Sequence, residues 1–161
     1  MTVALQSPRL LGAIIAVDNA PVDANLKNDF HQYVRGLREI EEAGISKQVE
    51  ADHMLSKYEI ALPVRQFLLT NLIRSPQEQS LRLRIPIKIL ASSLDNMGDF
   101  PITDPDKYRY HGPALVIRGT QSHYVPDDVL PLIGRYFPKF EVYDIDCGHW
   151  VISERPEAFR Q

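Results

Sequence analysis

One cysteine, Cys147, is all that the 161 residues contain, so no disulfide can form within the chain. Long apolar runs are missing too: the longest, Leu10 to Val17, falls far short of a bilayer span and stops at Asp18. Charge of one sign never accumulates. Lys and Arg number 18 against 21 Asp and Glu, interspersed with no basic stripe, which argues against nucleic acid or an anionic membrane surface as the partner. There is no internal repeat, no low-complexity tract and no Gly-x-Ser-x-Gly turn. What is present is ordinary globular material, 44% hydrophobic, enough for one core.

The pattern along the chain is α/β at both ends and helical between them. Met1 to Gln6 reads as the end of a helix and Ser7-Pro8-Arg9 as its exit. Ala13 to Val17, without polar alternation, reads as a strand buried on both faces. Asn28 to Ala43 then carries Phe30, Tyr33, Val34, Leu37, Ile40 and Glu41 at helical spacing, with Gly44 as its stop. Ser46 is placed to cap a second helix through Tyr58, with Val49, His53 and Met54 or Leu55 to one side. Pro63 opens a third helix carrying Phe67, Leu68, Asn71, Leu72 and Ile73. A polar turn at Ser75 to Glu78, a short extended piece at Arg82 to Ile85, and a fourth helix from Pro86 to Leu94 complete the middle. Ala114 to Arg118, closed by Gly119, is a buried strand. Pro126 starts a helix with Val129, Leu130, Leu132, Ile133 and Tyr136, Phe140 to Ile145 is an edge strand, and a last helix begins at Glu154.

Two segments carry the chemistry. Ala16-Val17-Asp18-Asn19-Ala20-Pro21 puts a carboxylate just past the carboxyl end of a strand, and Asp146-Cys147-Gly148-His149-Trp150 puts an imidazole on a glycine loop. A carboxylate so placed can orient an imidazole, which can then take a proton from a hydroxyl: the acid and base of a catalytic triad. The hydroxyl is the absent part. Without an elbow motif in the sequence, the nucleophile is expected upstream of Met1, and the chain reads as the C-terminal part of an enzyme. Plainer readings stand beside this one. An Asp followed by Asn and Pro is a common turn former, and a histidine in a loop can be structural. His31, His53, His111 and His123 read as surface or inserted-segment residues, none spaced with Cys or carboxylates as metal ligands are. Cys147 reads as a small buried filler.

Leu5-Gln6-Ser7-Pro8, Ala16 to Val22, Val64 to Leu72, and Gly148-His149-Trp150 with Arg155-Pro156 in step resemble the α/β-hydrolase superfamily. Within it they look most like a branch of small bacterial and mitochondrial esterases that includes the fungal ethanol O-acetyltransferases. The resemblance implies an α/β fold, the C-terminal part of the hydrolase fold with its last three sheet strands and their helices in segments 1–24 and 99–161, and an inserted helical cap or lid at 25–98. It places the triad acid on Asp18, after the sixth strand in this branch, and the base on His149. Many members carry the acid after the seventh strand, here Gly119 to Tyr124, where Ser122 stands instead. That favours Asp18, with Asp127 and Asp128 as the fallback and helix capping as their plainer reading.

What the resemblance implies functionally is acyl transfer through an acyl-serine, with the elbow serine and the oxyanion-hole amides upstream of Met1. Water as acceptor makes a carboxylesterase or thioesterase acting on a small acyl ester or thioester. An alcohol as acceptor, with acetyl-CoA as donor, makes an ethanol O-acetyltransferase-like enzyme. No metal or redox cofactor is implied. The alternative is a catalytically inactive fragment or a non-enzymatic binding protein. The resemblance points to mitochondria, with the cytoplasm as the other possibility.

Overall fold

The computed structural model describes residues 1–24, 26–74 and 79–160. The chain divides into two compact units: Met1–Ala24 together with Asp99–Gln161, and Asn25–Gly98.

The first unit is built on a three-stranded sheet in the order β1 (Ile14–Val17), β4 (Ala114–Gly119), β5 (Phe140–Ile145), counting every strand of the chain in sequence. Both pairings are parallel, with Ile14 opposite Ala114 and Ala114 opposite Phe140, so all three strands end on one side. β4 sits in the middle, and its alternation serves two cores. Ala114 and Val116 face a cluster with Ala4 and Leu5 of α1 (Thr2–Gln6) and with Ile133 and Tyr136 of α6 (Leu130–Tyr136). Leu115 and Ile117 face a second cluster holding Ile145, Cys147 and Val151. Each fully buried aliphatic side chain here removes from water the surface that stabilises by about 1.5–3 kcal/mol.

The irregular stretch after Gly98 is pinned by tyrosines. Tyr136 Oη donates to the Ile102 carbonyl at 2.5 Å and Tyr110 Oη to the Leu11 carbonyl at 3.2 Å. Asp104 Oδ1 accepts from the amides of Asp106 and Lys107, the local turn that an Asp side chain makes in place of backbone pairing.

The second unit contains α2 (Lys27–Glu42), α3 (Gln48–Leu55), α4 (Leu62–Leu69), an antiparallel pair β2 (Leu72–Arg74) and β3 (Leu81–Leu83), and α5 (Ile87–Gly98). Leu37, Ile40, Ala51, Leu55, Leu68, Leu72, Leu81 and Ile87 form its core. Gly44, at φ +60°, ends α2 in the left-handed conformation that favours glycine. Gly36, inside α2, lies under the Tyr58 ring, which a Cβ would approach to 2.8 Å. Arg65 of α4 holds Asp52 of α3 with two nitrogens, at 2.8 and 3.3 Å.

Several sequence expectations are corrected. β1 is not buried on both faces: it lies at the sheet's edge and Ile15 is 65% exposed. The helix through Asn71, Leu72 and Ile73 stops at Leu69, and Leu72–Arg74 pairs instead with Leu81–Leu83, a hairpin of which only the second strand was expected. Ser46 does not cap α3. Lys47 precedes the helix with no side-chain cap, and the buried pair is Ala51 and Leu55, one turn apart, while Val49 is 80% exposed. The helix expected from Pro126 starts as a 3-10 turn, Asp127–Val129, and becomes α-helical at Leu130, with Pro131 in the first turn where its missing N–H costs nothing. The last helix is two, α7 (Val151–Glu154) and α8 (Pro156–Arg160), because the residue before a proline is steered away from the helical region. The polar turn at 75–78 lies outside the described residues.

Candidate active site

Asp18 is the first residue beyond β1 and, among the described residues, the one buried charged side chain, 1% exposed. Its backbone lies at φ 46°, in the left-handed region that Asp tolerates better than most side chains. The amide stays in register, donating to the Ile117 carbonyl at 2.7 Å. The side chain crosses to β4, where Oδ1 accepts from the Gly119 amide at 3.1 Å, and Oδ2 meets His149 Nδ1 at 2.6 Å. Both oxygens of a buried carboxylate are thus satisfied, as burial requires.

Gly119 makes the approach of the histidine loop possible. A Cβ at this position would stand 2.2 Å from the Gly148 carbonyl oxygen and 2.9 Å from that of Cys147, closer than atoms can pack. The loop from Asp146 to Trp150 therefore runs directly over the end of β4. It is tied there by the amides of Thr120 and Gln121, which donate to the carbonyls of Ile145 and Cys147. Gln121 Nε2 adds a bond to Asp146 Oδ1 at 2.9 Å. On the other side the Gly148 and Trp150 amides donate to the Glu154 carboxylate.

His149 is half exposed, 49% by side chain. Its ring leans on Tyr124 with centroids 4.2 Å apart, and Tyr124 stacks on His123 at 4.5 Å. Among the described residues Nδ1 is the hydrogen-bonded ring nitrogen, so a proton on Nδ1 bound to Asp18 leaves Nε2 as the acceptor. Chemically, the pair can take a proton at Nε2 and stabilise the resulting imidazolium through the carboxylate.

The other candidates go elsewhere. Asp127 pairs with Arg118 at 2.5 Å, and no side-chain cap forms at the start of its turn. Arg118 also grips Asp144 through two nitrogens, each at 2.8 Å, and holds that carboxyl below the ordinary range. Ser122 Oγ accepts from the Tyr124 amide. Cys147 is buried, and burial pushes its thiol pKa up, away from the reactive thiolate. His31, His53, His111 and His123 are exposed, and among the described residues no three His, Cys, Asp or Glu side chains are grouped to hold a metal. No described helix is long and apolar enough to cross a membrane.

A cleft of about 830 Å³ lies within the helical unit, lined by His31, Arg35, Arg38, Glu39, Tyr58 and Leu94 among others. Its charged groups are occupied with one another: Arg35 with Glu39 at 3.3 Å and Arg38 with Glu42 at 3.7 Å. This cleft and the Asp18–His149 pair therefore fall in different units.

Sequence reasoning paired Asp18 with His149 but missed what supports them. Gly119 was read only as the end of a strand, and Glu154 only as the start of a helix. A glycine one residue beyond the position level with Asp18 on the neighbouring strand, and an acid five residues past the histidine, are the signals that mark them.

A parallel sheet with an acid after one strand and a histidine after another is hydrolase architecture, and the comparisons agree: the chain belongs to the α/β-hydrolase fold family, whose profile matches residues 8–156. An abhydrolase domain-containing protein of Schizosaccharomyces pombe is 38% identical over 100% of this chain and 60% of its own length. A probable alcohol acetyltransferase of Saccharomyces cerevisiae is 37% identical over 97% of this chain and 49% of its own. Among solved structures, a marine microorganism esterase superposes with a TM-score of 0.84 at 27% identity, over 97% of this chain and 60% of that one. The chain thus spans about half to three fifths of the length of these relatives.

Proposed function

We propose that this chain supplies the acid and the base, Asp18 and His149, of a serine-type ester hydrolase or acyltransferase, the nucleophilic serine being contributed from outside the described residues. The observation that carries the reading is the environment of Asp18. A fully buried carboxylate at a strand's carboxyl end, on left-handed backbone, spends one oxygen on an amide and the other on an imidazole at 2.6 Å. Burial and backbone strain of this kind cluster at functional sites.

In this reading Asp18 keeps the proton on Nδ1 and stabilises the imidazolium. Nε2 takes the serine proton as the serine oxygen bonds to the acyl carbon, and returns it to the alkoxide or thiolate whose bond to that carbon breaks. A second acceptor then releases the acyl group by the reverse exchange. Water gives a carboxylic acid, and an alcohol gives a new ester. An esterase and a probable alcohol acetyltransferase among the relatives support both outcomes; the donor in this proposal is a small acyl ester or thioester, acetyl-CoA included.

A fluorophosphonate probe tests the reading on the protein as expressed from its own gene. One serine is expected to be labelled in the wild type and to lose its reactivity in His149→Ala, while the 161 residues alone remain unlabelled. No labelled serine, or labelling indifferent to His149, overturns it. Product analysis with acetyl-CoA, water and ethanol then separates the two acceptors.

A further inference from the structure

We infer that Glu154 is the positioning residue of the His149 imidazole, an inference that rests on the acid–base reading of Asp18 and His149. Half of the histidine side chain faces solvent, so the Tyr124 ring covers it on one side only. The backbone on either side of His149 adds a second constraint. The amide before His149, that of Gly148, donates to Glu154 Oε2 at 2.9 Å, and the amide after it, that of Trp150, donates to Glu154 Oε1 at 3.2 Å. One carboxylate therefore closes the loop at both shoulders of the histidine. N–H bonds to an ionised carboxylate are roughly twice as strong as neutral ones.

The surroundings are arranged around this grip. A Cβ on Gly148 would lie 3.0 Å from Glu154 Oε1, so the carboxylate occupies the space that a side chain there would need. Glu154 is itself anchored to the turn it holds, because its amide donates to the Trp150 carbonyl at 2.8 Å. The next residue, Arg155, donates from Nε to the Asp146 carbonyl at 3.1 Å, fastening the loop where it begins. Glu154 makes no hydrogen bond or ion pair with the imidazole among the described residues. It acts through the two amides that set the position of the His149 Cα, and with it the 2.6 Å approach of Nδ1 to Asp18. A small rotation of either peptide would swing the ring off that carboxylate.

Nitrogen-15 histidine NMR on the protein as expressed from its own gene provides the test, with wild type, Glu154→Ala, Glu154→Gln and Asp18→Asn compared. In the wild type the His149 Nδ1 proton, held by Asp18, is expected to exchange slowly with water. Glu154→Ala is expected to speed that exchange at least about tenfold, in line with the loss of charge-assisted bonds, while the β4 amide signals stay where they are. Glu154→Gln, with one acceptor oxygen for two amides, falls between. In ester turnover, Glu154→Ala lowers kcat by up to about 10²-fold, the cost of a small misplacement, and leaves KM nearly unchanged, a split that loss of a helix cap alone does not produce. Unaltered Nδ1 exchange in Glu154→Ala overturns the proposal, and if that variant does not fold, unaltered exchange in Glu154→Gln overturns it equally. If Asp18→Asn leaves the Nδ1 proton as slow as in wild type, the acid–base reading is what has failed.

Discussion

The sheet unit and the helical unit are stabilised in different currencies. In the helical unit, core side chains such as Leu37, Ile40, Leu55 and Leu72 do the holding, and charges pair on the surface one helical turn apart or, as Arg65 with Asp52, bind one helix to the next. In the sheet unit a carboxylate is buried and two backbones pass so closely that only glycine fits between them. The first arrangement tolerates adjustment because side chains repack. The second does not, because carbonyl oxygens and a buried carboxylate have nowhere to move. The acid–base pair lies in the unit that cannot adjust, as pre-organised chemistry requires.

The sharpest break in that comparison comes from Asp18→Asn. The amide keeps the shape and the Gly119 bond but no longer holds His149 in its working tautomer, so kcat in the reconstituted reaction is expected to fall on the order of 10⁴, with the melting temperature little changed. Asp127→Asn and Asp128→Asn are the controls, expected to keep turnover near wild type. Gly119→Ala comes next. With a Cβ 2.2 Å from a backbone oxygen, the loss in a denaturant titration is expected at about 3 kcal/mol, the upper end of ordinary overpacking. Its counterpart in the helical unit is Gly36→Ala, where the obstacle is the Tyr58 ring rather than backbone. There the ring can turn aside and the helix gains up to about 1 kcal/mol of propensity, so the net change is expected within about 1 kcal/mol of zero.

Acidity probes the sheet unit's edge. Arg118 holds the Asp144 carboxyl below its ordinary value, so the ionised form is favoured in the folded state. The stability this contributes is present above the unfolded carboxylate pKa of about 4 and is lost as pH falls through the lower folded value. Melting curves of wild type and Asp144→Asn should therefore differ at neutral pH and converge in acid. The smallest effect belongs to the exposed pair on α2: Arg35→Ala is expected to cost no more than about 0.5 kcal/mol by the same melting assay.

Periodicity made the larger elements legible. Leu37 and Ile40 at helical spacing found α2, and the unbroken Ala114 to Ile117 run found the central strand. β1 misled in its burial, because an apolar run says that a strand is apolar, not whether both its faces are covered, and Ile15 is left open. The β2–β3 hairpin was half hidden because Leu72 continues the spacing of α4, and three-residue strands are too short to show a period of two. At the site, residue type and position beyond a strand were enough to pair Asp18 with His149. The supports at Gly119 and Glu154 were missed because their spacing gains meaning only once the strand register and the turn are known: a close backbone approach and a carboxylate folding back on its own turn depend on three-dimensional proximity.

The hydrogen bond between Asp18 and His149 joins residues 131 positions apart. At a ribosomal pace of 5–20 residues per second, the acid is synthesised on the order of ten seconds before the base. For most of that interval β1 has no β4 beside it; Gly119 is made 30 positions before His149, and the Asp18 carboxylate gains its imidazole only with the histidine loop. The helical segment between them meanwhile has local contacts, α2 with α3 and α3 with α4, available as soon as it emerges. The pair is therefore completed late in the making of this segment: the Asp18 carboxylate exists 131 positions before the imidazole it binds.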